Sequence, residues 1–266
     1  MNASSSKLSS LLRDWKFAEA VPVGWDWVDQ LSGSLGPVDA ITLSAALQGI
    51  RYPGMEHPHR EATTNPANLE ADVNNVRADV IKAMAPAKQA KSRDMRSSAP
   101  IELAHAAQGT QADYAAYRQR YTEVQRRMEW RIDPLREHCR QTLSKSNSRL
   151  RKLAELDATM ENIFGAREKA LFSKLAVILE RRFEDLKRQH QNTPGSVSGE
   201  ANAASEEVPA LQPKSAAWVA KFEKDFEALV RAELDVRLGP IAGMMEAYGN
   251  ETLTDAENNT LNKVKR

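Results

Sequence analysis

The residues best suited to catalysis or metal binding stand in two short groups. Residues 56–59 read Glu-His-Pro-His and bring two imidazoles together, but a zinc site needs further His or Cys ligands, and none lies nearby. His138 and Cys139 are neighbours, and adjacent helical residues point about 100° apart, a poor geometry for a nucleophile and its base. We therefore expect neither group to form a catalytic or metal site.

Sequence motifs for nucleotide and zinc-protease chemistry are also missing. GxxxxGK[ST], GxGxxG and HExxH do not occur, and the glycines are scattered singly rather than clustered into a phosphate cradle. We predict a protein that is not an enzyme, with no catalytic residue and no cofactor. An enzyme whose site is assembled from dispersed residues would leave the same sequence and remains the alternative.

Arginines concentrated in the middle of the chain raise a second possibility, contact with nucleic acid. Basic residues outnumber acidic ones between 118 and 190, although the whole chain has a net charge of only +1. Phosphate backbones attract such cationic faces. The candidate contacts are Arg126, Arg127, Arg131, Arg181 and Arg182. Because acidic residues alternate with these cations, as on a solvated helix with pairs such as Glu123 and Arg127, we keep nucleic acid as the lesser alternative.

Two long amphipathic helices must position these residues. Residues 110–113 are similar to a capping box, and apolar residues then recur every three or four positions in a heptad-like, coiled-coil pattern. A polar turn at 144–148 precedes a second such pattern, so we predict an antiparallel helical hairpin over 111–190, kinked at Pro134. The residues assigned to its seam, or alternatively to a partner interface, are Tyr114, Tyr117, Tyr121, Val124, Met128, Leu171, Leu175 and Ile178.

Prolines, glycines and polar runs divide the rest of the chain. The predicted segments are short helices in 1–50, a loop, a helix at 69–85 and a polar linker in 51–110, a flexible linker at 191–214, a C-terminal helix at 215–248 and a polar tail at 249–266. Val38–Leu47 has almost no polar face, so we expect that helix to be buried. The C-terminal helix carries an aromatic stripe that should pack along the hairpin.

The predicted fold class is therefore all-α: a long antiparallel helical hairpin with a third packed C-terminal helix and short N-terminal helices. A single Cys139 excludes an internal disulfide, and the N-terminus lacks the apolar stretch of a secretory signal. With no window near the roughly 18 apolar residues of a membrane span, we predict a cytoplasmic protein without a transmembrane segment. Residues 8–15 are amphipathic and could touch a lipid surface, although a helix docked on the protein is favoured.

Several stretches resemble a known bacterial family. They are VDAITLSAAL at 38–47, YRQRY at 117–121, MEWRIDPLR at 128–136, LAELD at 153–157 and LERRF at 179–183. Together they are similar to an uncharacterised proteobacterial family, domain of unknown function 3348, over most of the chain to about Gly239. The resemblance implies a small helical bacterial protein whose gene neighbours encode proton-channel proteins similar to flagellar stators and energisers of outer-membrane transport.

The partner predicted from these observations is another protein. Long helices without catalytic motifs favour a scaffold, and the resemblance implies an assembly or accessory factor for an envelope proton-channel complex. An exposed seam would favour a homo-oligomer, whereas a third helix packed within the chain would satisfy the same residues. Both arrangements stay open at this point.

Overall fold

The protein is described by a computed structural model covering residues 6–15, 31–51, 66–85, 114–192 and 214–264. Every regular element within these ranges is an α-helix, which confirms the predicted all-α class. The helices are α1 (Lys7–Asp14), α2 (Pro37–Arg51), α3 (Pro66–Met84), α4 (Tyr114–Ser144), α5 (Ser148–Gln191) and α6 (Lys214–Val264). None of them is long and apolar enough to cross a lipid bilayer.

Helices α4 and α5 form the hairpin at the centre of the fold. The turn between them is short, and Asn147 caps α5 by accepting a hydrogen bond from the Leu150 amide at 2.8 Å. Such a cap satisfies one of the amides that a helix start leaves free. The two helices pack against each other, and α6 packs against both, as the aromatic stripe of the sequence predicted.

Aromatic rings fill one end of this three-helix core. The rings of Tyr117 and Phe222 meet edge-on at 4.8 Å between centroids, and Phe183 meets Phe222 in the same way at 5.0 Å. Trp218 extends the cluster, 5.3 Å from Phe183. Edge-to-face contacts of this kind add about 0.5–1.5 kcal/mol beyond the burial of the rings. The stripe on α6 is therefore what fixes that helix in the groove of the hairpin.

The C-terminal helix extends further than predicted. Residues 249–266 were predicted to be a polar tail, but α6 continues through Gly239 and Pro240 to Val264. A proline inside a helix costs about 3 kcal/mol. Tertiary packing offsets this cost, because buried apolar side chains lie on both sides of the proline: Leu234, Leu238, Ile241, Met244 and Tyr248.

Contacts at the hairpin turn explain why α6 continues past position 249. Glu251 accepts hydrogen bonds from Asn147 Nδ2 at 3.3 Å and from Arg149 Nη1 at 3.1 Å. Local polarity indicated a tail, whereas these long-range contacts tie the segment to the start of α5. In α4, Pro134 likewise lies inside the helix without ending it.

The three shorter helices lie on different parts of this core. Helix α1 packs on α6, and α3 packs on α4 and α6, whereas α2 packs on α5. The Ser6 hydroxyl caps α1 by accepting from the Ser9 amide at 3.1 Å. The predicted capping box at 110–113 and nearly all of the loop and linkers predicted at 51–66, 86–110 and 191–214 lie outside the described residues.

Candidate interaction surface

The predicted seam residues lie inside the three-helix core. Five of them are buried, namely Tyr114, Tyr121, Val124, Met128 and Leu175, and three are half-buried against the core, namely Tyr117, Leu171 and Ile178. The Tyr114 hydroxyl also donates to the carbonyl of Ala176 at 2.7 Å, which joins α4 to α5. The seam is therefore occupied within the chain, and an external partner has to bind elsewhere.

A buried carboxylate connects the helices of the core. Glu233 on α6 is fully buried and accepts hydrogen bonds from Tyr121 Oη at 2.5 Å and Gln125 Nε2 at 3.1 Å. Arg237, one turn further along α6, donates to it from Nε at 2.9 Å and Nη2 at 2.8 Å. A buried charge is tolerated only when it is paired and hydrogen-bonded, as this one is. The network thus sets the register of α4 against α6.

Tyr121 stays protonated as a donor to Glu233, and Arg237 extends the network to the third helix. Burial, and then the negative charge of Glu233, hold the pKa of Tyr121 well above its ordinary value, so the phenol stays a donor. The Arg237 guanidinium lies 4.0 Å from the centroid of the Phe172 ring on α5. A desolvated cation over an aromatic face is favourable, so Arg237 brings the third helix into the network.

A second ionic cluster joins α4 to α5 nearer the turn. Arg136 donates to both oxygens of Asp157, from Nε at 2.8 Å and Nη2 at 2.7 Å, and Arg140 Nε donates at 2.8 Å. Arg140 also contacts Glu161. Burial by itself raises the pKa of Asp157, but the hydrogen bonds from Arg136 and Arg140 outweigh it and lower that pKa.

Several titratable side chains surround a very small cleft. It has a volume of about 40 Å³ and is lined by Ile132, Asp133, Arg136, Glu161, Gly165, Glu168, Lys169, Phe172 and Arg237. Burial raises the pKa of Glu168, and the charges of Arg136 and Arg237 oppose that effect. A volume of this size holds about one water molecule. The cleft is therefore far smaller than the roughly 300–1,000 Å³ of known ligand pockets.

The His138–Cys139 pair is placed where it cannot support nucleophilic chemistry. Cys139 is fully buried, and burial followed by the charge of Asp157 raises the pKa of its thiol to about 11. A buried, protonated thiol is a poor nucleophile. Across the ranges that the structure describes, no three His, Cys, Asp or Glu side chains are arranged to hold a metal ion. Residues 56–59 lie outside those ranges.

The predicted nucleic-acid contacts are mostly engaged with carboxylates. Arg126 pairs with Glu123 at 2.9 Å, and Arg182 pairs with Asp225 at 2.7 Å. Arg127 and Arg131 both approach Asp79 of α3, at 3.7 and 3.2 Å. Arg181 is exposed on α5. Four of the five arginines therefore already face a carboxylate of the same chain, and the Arg126–Glu123 pair is itself exposed.

One of these pairs differs from the sequence-based prediction. Glu123 was expected to pair with Arg127, one helical turn away, but it pairs with Arg126 instead. The reason is tertiary, because Arg127 lies on the side of α4 that α3 covers and reaches Asp79. Beside this group, Trp130 is 70% exposed and shares an open pocket with Arg126 and Arg127. No pattern in the sequence indicated that the Trp130 side chain would be exposed.

Helix α2 presents the least expected surface of the protein. It was predicted to be buried, but within 37–48 none of its residues is, and Val38 and Ile41 are 74% and 71% exposed. The difference arises because, among the described elements, α2 packs mainly on α5. Its exposed sides carry no charge and combine apolar Val38, Ile41 and Leu47 with polar Thr42, Ser44 and Gln48. Isolated exposed apolar side chains are ordinary, whereas several on one short helix make it a candidate binding surface.

An ion pair anchors α2 to the core through its first turn. Arg167 of α5 donates to Asp39 Oδ2 at 2.8 Å, and the Gly36 amide donates to the same atom at 3.1 Å. These two hydrogen bonds lower the pKa of Asp39. Asp39 is the one charged residue between Val38 and Gln48, and it faces an arginine of its own chain. The open face of α2 is therefore electrically neutral.

Comparison with known proteins places the chain in a family but offers no relative of known activity. No curated protein matches it, and no solved structure matches it. The model of the family described as Protein of unknown function (DUF3348) matches residues 1–250. That match covers nearly the whole chain, so the protein belongs to the DUF3348 family.

Proposed function

We propose that this protein is a non-enzymatic helical interaction protein that acts as a scaffold or assembly factor through the open face of α2. The observation that carries the proposal is the exposure of Val38, Ile41 and Leu47 on a helix that packs on one neighbour. Burying such side chains contributes about 25 cal/mol per Å² of apolar surface. The core helices bury most of their apolar residues and expose single ones such as Trp130 and Val177, whereas α2 exposes several, so α2 is the favoured contact.

The occupant we assign to this face is a different protein that presents an uncharged apolar surface. Because α2 has no free charge between Val38 and Gln48, it offers a partner neither attraction nor repulsion by charge. A charged partner would have to lose its hydration without compensation. We propose that the protein acts in the bacterial cytoplasm. An envelope proton-channel complex is the first assembly in which to search for its partner.

The test compares partners captured by the full chain and by a double variant, Val38→Glu with Ile41→Glu. Both proteins are tagged, expressed in the native bacterium, mildly crosslinked and analysed by mass spectrometry with and without nuclease. We expect a protein recovered by the wild type, insensitive to nuclease, to be lost with the double variant. Circular dichroism should show unchanged helicity, because both side chains point to solvent.

A matched control places the same charge on another exposed apolar position. Val177 on α5 is 50% exposed, so Val177→Glu should leave the partner in place. Loss of the partner with both variants, or with neither, would contradict a specific role for α2. If the double variant instead changes the size of the purified protein in light scattering, the occupant is a second copy, and the assignment of a different partner is wrong.

Nucleic-acid binding is retained as the second candidate because of one observation at α4. Trp130 is exposed beside Arg126 and Arg127, an arrangement in which a base stacks on the ring and a phosphate meets a guanidinium. Affinity would then fall steeply with salt. In the capture experiment above, partners lost on nuclease treatment and on Trp130→Ala would support this candidate over the α2 proposal.

A further inference from the structure

A second surface is a groove that runs along α6 between α1 and α3. It has a volume of about 390 Å³, and its lining residues are Lys7, Leu11, Arg77, Ile81, Ala228, Arg231, Ala232, Leu234 and Asp235. Small side chains of α6 form the floor, at Ala228 and Ala232. Leu11 of α1 and Ile81 of α3 form the walls. The volume lies within the roughly 300–1,000 Å³ of known ligand pockets.

An ion cluster lies among the residues that line the groove. Asp235 accepts from Arg77 Nη1 at 2.6 Å and from Lys7 Nζ at 3.1 Å, which ties α3 and α1 to the same point of α6. Burial alone raises the pKa of Asp235, but the hydrogen bonds from Arg77 and Lys7 outweigh it and lower that pKa. The carboxylate is therefore ionised and saturated by two cations.

The rim of the groove keeps an excess of positive charge. Three cations line it, Lys7, Arg77 and Arg231, against the single carboxylate of Asp235. Arg231 has one acidic neighbour, Glu227, at 3.7 Å, and both side chains are about half exposed. Exposed pairs at such distances contribute little. Arg231 is therefore available to an anion that enters the groove.

We propose that this groove binds an acidic amphipathic helix or peptide of a partner protein. Apolar side chains of the segment would fill the space between Leu11 and Ile81, and its carboxylates would meet Arg231 and the exposed Lys7. Apolar anchors between charged flanks are how amphipathic helices dock in grooves. The inference concerns a surface distinct from α2, so each proposal can fail without the other.

A protein segment fits the groove better than a nucleic acid does. The described residues that line it are aliphatic or charged, and none of them carries an aromatic ring on which a base could stack. Arg77 and Lys7 both contact Asp235 of α6, and buried apolar side chains such as Leu8 of α1 and Val80 of α3 hold the two walls on the core. Such a preformed site lowers the cost of ordering the protein on binding. Charge at the rim then selects acidic segments over neutral ones.

The test uses a defined probe and the full chain. The probe is a fluorescein-labelled, alanine-based helical peptide with leucines on one face and glutamates flanking them, and the matched peptide carries Gln in place of Glu. We expect fluorescence anisotropy to show that the Glu peptide binds. The affinity should be about tenfold lower for the Gln peptide, and the affinity of the Glu peptide should fall by a similar factor at raised salt. Equal affinity for the two peptides, or no binding, would overturn the proposal.

Charge reversal in the protein locates the site. Arg231→Glu should lower the affinity for the Glu peptide by about tenfold or more, because it replaces an attraction by a repulsion. Arg188→Glu is the matched control, since Arg188 is an exposed arginine of α5 that also has an acidic neighbour, Asp185. The double variant at Val38 and Ile41 should bind the peptide normally. An equal loss with Arg188→Glu, or a loss with the α2 variant, would show that the groove is not the site.

Lipid is tested with the same variants. Vesicles of phosphatidylglycerol present the same combination of apolar chains and anionic groups, and α1 is amphipathic. We expect little binding to such vesicles and no dependence on Arg231. If vesicles bind in an Arg231-dependent way while the peptide does not, the occupant is anionic lipid and the assignment of a protein segment is wrong.

Discussion

The core between α4, α5 and α6 buries charged side chains, whereas α2 exposes apolar ones. At the centre of the core, Glu233 is fully buried and receives four hydrogen bonds from Tyr121, Gln125 and Arg237. On α2, Val38 and Ile41 are largely in solvent. Each arrangement is unfavourable by itself, since charge prefers water and apolar surface avoids it.

The difference between the two regions lies in where the compensation comes from. In the core, the cost of burying Glu233 is offset by groups of the same chain, at fixed positions on α4 and α6. Such a network specifies one register, because a shift of α6 along α4 would separate Glu233 from Tyr121 and Gln125. On α2, the exposed apolar side chains are not covered by any other part of the chain that the structure describes. The first region therefore defines the fold, and the second is free to define an assembly.

The largest expected effect comes from removing one partner in the core. Arg237→Ala leaves Glu233 buried without its counter-charge and removes the cation over Phe172. Breaking a buried pair in this way costs about 3–5 kcal/mol. We expect urea denaturation, followed by circular dichroism, to show a correspondingly lower midpoint or a chain that fails to fold at room temperature.

An arginine on the same helix provides the control for this comparison. Arg231 is half exposed and pairs with Glu227, so Arg231→Ala should change the free energy of unfolding by less than about 1 kcal/mol. Tyr121→Phe is a milder probe of the same network, which removes one donor to Glu233 and should cost about 1–3 kcal/mol. Equal effects of Arg237→Ala and Arg231→Ala would show that the core network does not stabilise the fold.

The contribution of Asp157 to the stability of the fold should depend on pH. The hydrogen bonds from Arg136 and Arg140 keep the pKa of Asp157 below its ordinary value. A depressed folded-state pKa gives stability that is fully present above the unfolded pKa, about 3.9, and is lost as the pH falls through the folded value. Asp157→Asn should therefore cost about 1–3 kcal/mol at pH 7, and the difference from wild type should vanish at low pH.

Urea titrations of both proteins at several pH values between 7 and 3 measure this difference. Other carboxylates with lowered pKa, such as Asp39 and Asp235, are present in both proteins and cancel. A difference that stays constant down to pH 3 would mean that Asp157 acts through packing or neutral hydrogen bonding. Its charge would then have no part in joining α4 to α5.

Much of the fold was predictable because it rests on local patterns. Apolar spacing gave both helices of the hairpin, and Ser144 to Ser148 marked the turn within a residue or so of the observed helix ends. The end of α6 was not predictable in this way. Its polar sequence after 249 indicated a tail, and the contacts of Glu251 with Asn147 and Arg149 are separated by about a hundred residues along the chain.

The candidate surfaces were harder to predict than the helices. Periodicity assigned Tyr121 and Met128 to a seam, but it could not distinguish packing within the chain from packing with a partner. For α2, an almost wholly apolar sequence predicted burial. The burial of a helix depends on how many other helices pack against it, and a local sequence pattern does not contain that information. The groove between α1 and α3 brings together residues from three distant segments, and the sequence held no signal for it.

The smallest expected effect concerns α2 and provides the sharpest contrast with the core. Ile41 is 71% exposed, so Ile41→Ser should change the free energy of unfolding by less than about 0.5 kcal/mol. Leu43, two residues further on, is half-buried on the same helix, and Leu43→Ser should cost more, because it removes apolar contact within the protein. Urea denaturation of the two variants side by side gives the comparison. If Ile41→Ser destabilises the isolated chain as much as Leu43→Ser does, Ile41 contributes to the fold of the isolated chain, and its role as a binding residue loses its basis.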